Sequence, residues 1–206
     1  MNNEKIDELK VILIGETGVG KTNLINVTMG YNFNEYEQPS YSNAFLDKIF
    51  EINNKKYKLH IWDTIGQEKF RQLTKLFFKE SNIVILVYDK SNQLSFQQVP
   101  FWYDEVKNVL GDQPILAVVG NKSDLDDTID DVDENEARKY AEKINAKFRL
   151  ASAKENPKGF EQFLKELVIE YIKKIGGIIV ENDDRIKLNN INNGNNKKEK
   201  KSFFKC

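Results

Sequence analysis

The sequence is poor in cysteine, in net charge and in long apolar runs. Its one cysteine among 206 residues is Cys206, so no intrachain disulfide can form, which fits a reducing, cytosolic setting. The formal net charge of -1 gives no electrostatic reason to expect nucleic-acid binding. The longest apolar runs, such as IVILVY at 83–88, are too short to cross a bilayer, and MNNEKIDELK lacks the apolar core of a secretory signal. We therefore expect a cytoplasmic protein.

Strand-like and helix-like segments alternate along most of the chain. A length of 206 residues, 40% of them hydrophobic, suits one well-buried domain. The pattern predicts strands at 10–14, 44–52, 57–62, 82–88, 115–119 and 147–151. It predicts helices at 20–29, 69–78, 93–110, 133–144 and 158–175. This alternation favours an α/β fold with a six-stranded, mostly parallel sheet and helices on both faces.

Local signals support two of these boundaries, and a change of composition marks the end of the fold. Asn53 and Asn54 separate two alternating runs, as in a β-hairpin. Asp133 followed by Glu136 fits a capping box that starts a helix. Beyond the glycine pair at 176–177 the chain is rich in asparagine and poor in apolar residues. We predict one domain at 1–175 and a disordered tail at 176–206.

The segment GETGVGKT at 15–22 has the spacing G-x-x-x-x-G-K-[ST] between a strand and a helix. Backbone N–H groups of such a glycine-rich loop can surround a polyphosphate, and the following helix adds its positive N-terminus. Lys21 would contact the β- and γ-phosphates, and the Thr22 hydroxyl would hold Mg²⁺. A glycine-rich turn without a ligand is the alternative. Because the pattern arises by chance in about one such chain in a hundred, nucleotide binding is favoured.

This loop alone does not distinguish ATP from GTP, but NKSD at 121–124 does. It follows a buried strand, and ligands bind at the carboxyl ends of strands in open α/β sheets. The Asp124 carboxylate could accept hydrogen bonds from the ring N–H and the amino group of guanine, a pair of donors that adenine lacks. Asn121 could brace the loop, and the aliphatic part of Lys122 could lie on the ring.

A third segment, WDTIGQE at 62–68, also follows a strand. Asp63 stands where a carboxylate could support Mg²⁺, Gly66 could bring its N–H group to a γ-phosphate, and Gln67 could orient the attacking water. Together these motifs resemble the Ras superfamily of small GTPases, most closely its Rab branch. The resemblance covers about residues 9–175 and extends to KLHIWDTIGQEKF, LVYDKS and the SAK motif at 152–154.

The resemblance implies the P-loop NTPase fold of small GTPases, hydrolysis of GTP to GDP and phosphate, and Mg²⁺ as cofactor. It implies Gln67 and Lys21 as catalytic residues and Thr22, Ser40 and Asp63 as metal ligands. The implied GTP-binding residues are Gly15, Thr17, Gly18, Val19, Gly20, Lys21, Thr22, Phe33, Ser40, Gly66, Asn121, Lys122, Asp124, Ser152, Ala153 and Lys154. The aromatic residues Phe45, Trp62 and Phe77 match a surface that Rab proteins present to effectors.

The resemblance also implies partners and a cellular role. A monomeric switch would recruit effectors in the GTP state on the cytosolic face of endomembranes and regulate vesicle trafficking. It would work with an exchange factor. It would also need a GTPase-activating protein, because no arginine of the loop at 15–22 or of switch I, at about 31–44, is an obvious internal finger and Arg71 is poorly placed. In this class an added arginine raises the rate by roughly 10³–10⁵.

Three positions depart from the Rab pattern. Ser40 replaces a threonine and keeps the hydroxyl but not the methyl group that restricts its rotamers. Ile65 replaces an alanine beside Gly66 and could slow hydrolysis. Together with Ser40, it makes a GTP-binding membrane adaptor that hydrolyses poorly an alternative function. The chain ends in SFFKC rather than in two cysteines, so Cys206 is a candidate for a single prenyl group. Lysines near it could add about 1 kcal/mol each of attraction to anionic lipids; they are Lys197, Lys198, Lys200, Lys201 and Lys205.

A third hypothesis for the function is an ATP-using enzyme with the same glycine-rich loop, which requires that NKSD occurs by accident.

Other features of the sequence have simpler explanations. We expect His60 to be a packed or surface residue and Trp102 to be part of the core. The acidic stretch at 124–136 lacks the central glycine of a calcium-binding loop and is predicted to be solvated and to cap a helix.

Overall fold

The structure, a computed structural model, describes residues 6–37, 44–64, 77–125 and 131–176. The strands are β1 (Asp7–Ile14), β2 (Ala44–Ile52), β3 (Lys55–Asp63), β4 (Ile83–Asp89), β5 (Ile115–Asn121) and β6 (Lys147–Leu150). The helices are α1 (Lys21–Thr28), α2 (Gln93–Gln97), α3 (Val99–Leu110), α4 (Glu134–Lys143) and α5 (Pro157–Lys174). The predicted tail lies outside the described residues from 177 onward, and its boundary stays a prediction.

The six strands form one sheet in the order β2-β3-β1-β4-β5-β6. The β2–β3 pair is antiparallel and the other four pairs are parallel. Asn53 and Asn54 form the predicted hairpin turn with φ of 52° and 60°, values that asparagine tolerates better than most residues. The mostly parallel α/β sheet predicted from the sequence is therefore confirmed.

Helices cover both faces of the sheet, and the central strands are buried on both sides. Within β1, Val11 and Leu13 pack in the cluster formed with α1 and α5. Ile12 and Ile14 pack in the opposite cluster, formed with α2, α3 and α4. All seven residues of β4 are buried, as expected of a strand at the centre of a parallel sheet. This packing explains the continuous apolar runs in the sequence.

Two predicted helices differ in detail. The segment predicted as a single helix at 93–110 consists of α2 and α3, which meet at Gln98. Pro100 lies in the first turn of α3, where its missing N–H group costs nothing but where it cannot continue a preceding helix. The predicted helix at 69–78 lies mostly outside the described residues. The N-cap prediction is confirmed, since Asp133 Oδ1 accepts hydrogen bonds from the Asn135 and Glu136 amides at 2.7 and 3.1 Å.

The fold brings the ends of several strands to one edge of the sheet. β1 leads directly into Gly15, β3 ends at Asp63, β5 ends at Asn121 and β6 is followed by Ala151. Because β1, β3, β5 and β6 run in parallel, their carboxyl ends lie side by side. Among the described residues, no helix combines the length and apolar character needed to cross a membrane.

Candidate functional site

A cleft of about 330 Å³ opens at this edge of the sheet, within the size range of small-molecule sites. It brings together segments that are more than a hundred residues apart in the chain. Its lining residues are Thr17, Gly18, Gly20, Lys21, Thr22, Asn23, Phe33, Glu35, Glu37, Thr64, Asn121, Lys122, Asp124, Leu125, Ala153 and Lys154. Most residues of the predicted nucleotide site that the structure describes therefore surround one cleft.

The glycines of the loop at 15–22 allow its backbone to pass close to neighbouring strands. A Cβ atom on Gly15 would lie 2.1 Å from the carbonyl oxygen of Val87 in β4. A Cβ atom on Gly20 would lie 2.3 Å from Asn121 Nδ2, and Gly20 also has a φ of 91°. Real Cβ contacts are never this short, so these two positions require glycine for packing reasons.

Lys21, the first residue of α1, is buried under the loop that precedes it. Its Nζ atom donates hydrogen bonds to the carbonyl oxygens of Gly15 at 2.9 Å and Glu16 at 2.8 Å. Burial lowers the pKa of Lys21 to about 8, while the charges of Asp63 and Glu16 raise it and partly offset this shift. The fold thus fixes a cationic side chain at the floor of the cleft, where an anionic ligand would stabilise its charge.

The side chains of Thr22 and Asp63 meet beside Lys21. Thr22 Oγ1 donates a hydrogen bond to Asp63 Oδ2 at 2.8 Å, which joins α1 to the end of β3. The next residue, Thr64, is buried and bonds to the Leu13 carbonyl oxygen at 2.5 Å. A hydroxyl and a carboxylate are hard oxygen ligands, so this pair fits Mg²⁺, which keeps several of its waters and takes few protein ligands.

At the other end of the cleft, Asn121 connects three loops. Its Nδ2 donates to the Val19 carbonyl oxygen at 2.9 Å, and its Oδ1 accepts a bond of 3.4 Å from the Ala153 amide. Asn121 is 2% exposed. Asn121 therefore links the loop at 15–22 to the motif at 152–154.

Asp124 and Lys122 are each held by a specific partner. Ser152 Oγ donates a hydrogen bond of 2.5 Å to Asp124 Oδ1, which fixes the carboxylate at the rim of the cleft. Lys122 has a φ of 63°, and its Nζ atom lies 2.6 Å from Asp89 Oδ2. With its ammonium held by Asp89, Lys122 lines the cleft, as the prediction of a stem lying on a ring requires.

Some residues of the cleft were not predicted from the sequence. Asn23 is 9% exposed and makes two bonds to the backbone of Asn34, next to Phe33. Its position directly after Thr22 was the one feature of the sequence that could have indicated a place in the cleft. The others that sequence reasoning missed are Glu35, Glu37, Thr64 and Leu125. Five residues singled out in the sequence lie outside the described residues, namely Ser40, Ile65, Gly66, Gln67 and Arg71, as does Cys206 in the tail.

The three aromatic residues predicted as an effector surface lie together, with Phe45 on β2, Trp62 on β3 and Phe77 in the segment before β4. Phe45 pairs with Trp62 across the strands, and their ring centroids are 5.0 Å apart. The Trp62 and Phe77 centroids are 5.8 Å apart. Phe45 is 49% exposed. We call these three residues the aromatic surface.

The remaining sequence features have structural explanations. His60 Nδ1 lies 2.7 Å from Asp47 Oδ1 on the surface of the hairpin. Trp102 is 2% exposed and belongs to the core as predicted, but its Nε1 also donates a bond of 3.1 Å to Glu16 Oε1 in the phosphate-binding loop. Part of the acidic stretch at 124–136 lies outside the described residues.

Comparison with known proteins agrees with the geometry of the cleft. A model of the Ras family matches residues 10–173. The Ras-related protein Rab-21 of Homo sapiens is 41% identical over 158 residues, which are 77% of this chain and 69% of that protein. The Mus musculus protein of the same name is 41% identical over 77% of this chain and 70% of its own length. A Geodia cydonium relative is 39% identical over 75% of this chain and 67% of its own length.

The match covers every strand and helix that forms the cleft except the first residues of β1 and the last residue of α5. It also covers the loop at 15–22, the end of β3 and the motifs at 121–124 and 152–154. Family membership implies binding of guanine nucleotides and regulation by effectors, exchange factors and GTPase-activating proteins. The chain therefore belongs to the Ras family and is a Rab-like small GTPase, which hydrolyses GTP to GDP and phosphate.

Proposed function

We propose that the cleft binds GTP and GDP, with the phosphates over the loop at 15–22 and guanine between Phe33, Lys122 and the Asp124 carboxylate. The observation that carries this proposal is the pair of bonds made by Asn121, because it joins the phosphate end to the base end. Ala153 and Lys154 line the base end, while Ser152 fixes Asp124. These bonds hold the two ends of the cleft in a fixed relation, as the binding of one nucleotide across both requires.

At the phosphate end, the Lys21 ammonium balances part of the charge of the ligand. Thr22 and Asp63 would hold Mg²⁺, and the family pattern adds Ser40 as a third ligand. When bound, Mg²⁺ supplies positive charge to the β- and γ-phosphates. Lys21 releases its bonds to Gly15 and Glu16 in part and contacts the phosphate oxygens, which stabilises the charge that develops during phosphoryl transfer.

Hydrolysis requires a water molecule to attack the γ-phosphorus while the bond to the β–γ bridging oxygen breaks. Gln67 orients this water, as the family pattern implies. Ile65 next to Gly66 slows the intrinsic reaction by crowding the approach of that glycine to the γ-phosphate. Single-turnover hydrolysis of bound GTP tests this point: the variant Ile65→Ala should react faster than the native protein, and equal rates would contradict it.

The GTP state recruits effectors through the aromatic surface, and this recruitment regulates membrane trafficking at the cytosolic face of endomembranes. The exposure of Phe45 and the packing of Trp62 between Phe45 and Phe77 support this role. Exposed aromatic side chains with fixed geometry are typical anchors of protein interfaces. The protein acts as a monomer in this cycle.

Attachment to membranes depends on the tail. A single prenyl group on Cys206 gives marginal binding, and the lysines near it strengthen binding to anionic lipids. Expression of the variant Cys206→Ser in cells tests this assignment. The variant should be cytosolic, and a membrane distribution like that of the native protein would contradict prenylation at this residue.

A competition experiment tests the nucleotide specificity. GDP carrying a fluorescent methylanthraniloyl group is bound to the full-length protein with Mg²⁺, and unlabelled GDP or ADP is added as competitor. GDP should displace the probe at concentrations at least a hundredfold lower than ADP. The variant Phe45→Ala is the matched control, since it alters the aromatic surface and should leave the competition unchanged. Equal competition by ADP and GDP would contradict a guanine site.

A further inference from the structure

Asn23 connects α1 to the segment at 31–37 in a way that the family motifs do not explain. Its Nδ2 donates a hydrogen bond of 2.9 Å to the Asn34 carbonyl oxygen. Its Oδ1 accepts a hydrogen bond of 3.1 Å from the Asn34 amide. One carboxamide therefore satisfies both backbone groups of a single residue eleven positions further along the chain. We call this pair of bonds the Asn23 clamp.

The clamp holds a segment that has little packing of its own. Residues 31–36 are all exposed, with Tyr31 at 61% and Tyr36 at 82%. Asn34 is directly bonded to Phe33, which lines the cleft and which the proposed function places against the base. Fixing the peptide groups of Asn34 fixes the backbone from which the Phe33 side chain projects. Since Asn23 is nearly buried, its two bonds compete with little water.

We infer that Asn23 is a positioning residue that keeps Phe33 against the base and thereby slows the release of bound nucleotide. This inference rests on the proposed nucleotide site. The Asn23 clamp requires a short carboxamide, whose N–H donor and oxygen acceptor lie at the same distance from the backbone. A serine can make at most one of the two bonds with its hydroxyl in a given orientation, and a leucine makes neither.

Asn23 also lines the cleft, so a direct contact with the nucleotide is the competing explanation. The two explanations differ in how Asn23 and Phe33 combine. If Asn23 acts by positioning Phe33, removing the ring of Phe33 removes most of the benefit of the clamp. If Asn23 acts directly on the nucleotide, the two substitutions act independently and their effects multiply.

The experiment measures the dissociation rate of methylanthraniloyl-GDP from the full-length protein with Mg²⁺ and excess unlabelled GDP. Asn23→Leu should speed release about tenfold, the effect of losing two net hydrogen bonds of ordinary strength. Asn34→Ala is the matched control, because it keeps the backbone groups that the clamp uses. It should release nucleotide within about twofold of the native rate, since only exposed side-chain bonds are lost.

The double variant Asn23→Leu/Phe33→Leu should release nucleotide no faster than about twice the rate of Phe33→Leu alone, given that coupled sites are not additive. A native rate in Asn23→Leu, or a double-variant rate equal to the product of the single effects, would overturn the inference. Should Asn23→Leu fail to fold, as judged by circular dichroism, Asn23→Ser takes its place. It should give an intermediate rate, and an unchanged rate would also overturn the inference. Failure of the native protein to bind the probe would instead refute the proposed nucleotide site.

Discussion

The two ends of the cleft, as the proposed function assigns them, are built in different ways. The phosphate end is one continuous loop of eight residues, and its shape depends on backbone that passes against β4 and β5. The base end is assembled from side chains of three separate segments, with Phe33, Asp124 and Ser152 as representatives. At Gly15 and Gly20 the packing leaves no space for an added atom, whereas a side chain can be exchanged for another of similar size. The phosphate end should therefore fail abruptly on substitution, and the base end should lose specificity in steps.

Gly15→Ala gives the largest expected effect and tests the first half of this comparison. The added methyl group would lie 2.1 Å from the Val87 carbonyl oxygen, an atom of the central sheet that cannot move aside. The loop must then shift away from β4, which displaces the carbonyl oxygen that Lys21 contacts. We expect no nucleotide to co-purify with this variant and a melting temperature lower by 10 °C or more, on the order of a few kcal/mol.

Gly18→Ala is the matched control at the same end of the cleft. No atom lies within 4 Å of a Cβ atom at this position, although the φ of 82° leaves some backbone strain. This strain costs about 1–2 kcal/mol. The variant should thus be moderately destabilised and still bind GDP. Equal losses in the two variants would show that strain at positive φ, rather than contact with β4, explains the glycine at position 15.

Asp124→Asn gives the next largest effect and tests the base end. An amide of the same size presents one N–H group to the guanine donors in place of a second acceptor, so one bond is lost and a second is weakened. Bonds to charged groups contribute about 1.5–3 kcal/mol each, so the affinity for GDP should fall about a hundredfold. The affinity for ADP should change little. Competition between labelled GDP and each unlabelled nucleotide measures both, and an unchanged ratio would contradict the role of Asp124.

The same contrast explains how much could be predicted from the sequence. Backbone sites leave a dense local pattern, so the spacing of Gly15, Gly20 and Lys21 was sufficient to predict a loop between β1 and α1. The alternation of apolar segments was sufficient for the sheet, because buried parallel strands are continuous apolar runs. NKSD could be assigned to the same site because it follows a strand that ends at the same edge of the sheet.

The features that were missed depend on contacts between distant residues. The division of 93–110 into two helices is the exception, because Pro100, the eighth residue of the predicted helix, is a local signal in the sequence itself. The Asn23 clamp and the bond from Trp102 to Glu16 join residues 11 and 86 positions apart. Hydrophobic periodicity predicts that Trp102 is buried and carries no information about where its N–H group points. Such contacts require the packed structure.

Ser152→Ala should have a smaller effect than Asp124→Asn. The substitution removes the 2.5 Å bond that fixes the Asp124 carboxylate but leaves the carboxylate itself. GDP affinity should fall about tenfold, since one bond to a charged group is lost. Guanine should still be preferred to adenine, because its two donors still face a carboxylate. Isothermal titration with GDP and ADP measures both, and loss of the preference would mean that Ser152 contacts the base itself.

The smallest predicted effect tests whether the phosphate end is rigid in itself or is braced from outside. Trp102 Nε1 donates a hydrogen bond to Glu16 Oε1, and the Glu16 carbonyl oxygen accepts a bond from Lys21. Helix α3 therefore holds one residue of the loop through a side chain buried in the core. Trp102→Phe keeps an aromatic ring in this core and removes the N–H group. A bond to a charged acceptor that is partly exposed contributes about 1 kcal/mol, so GDP dissociation should accelerate about threefold to fivefold.

Trp62→Phe is the matched control for this substitution, because it removes an indole N–H group from a tryptophan whose ring packs on Phe45 and Phe77. It should leave GDP dissociation at the native rate. The measurement is stopped-flow release of labelled GDP from both variants, with melting curves to separate a change in the core from a change in the loop. Equal rates in Trp102→Phe and the native protein would mean that backbone packing against β4 and β5 holds the loop without help from α3. Faster GDP dissociation in Trp102→Phe alone would mean that the bond from α3 helps to hold the loop, so that substitutions in the core behind the loop also affect nucleotide release.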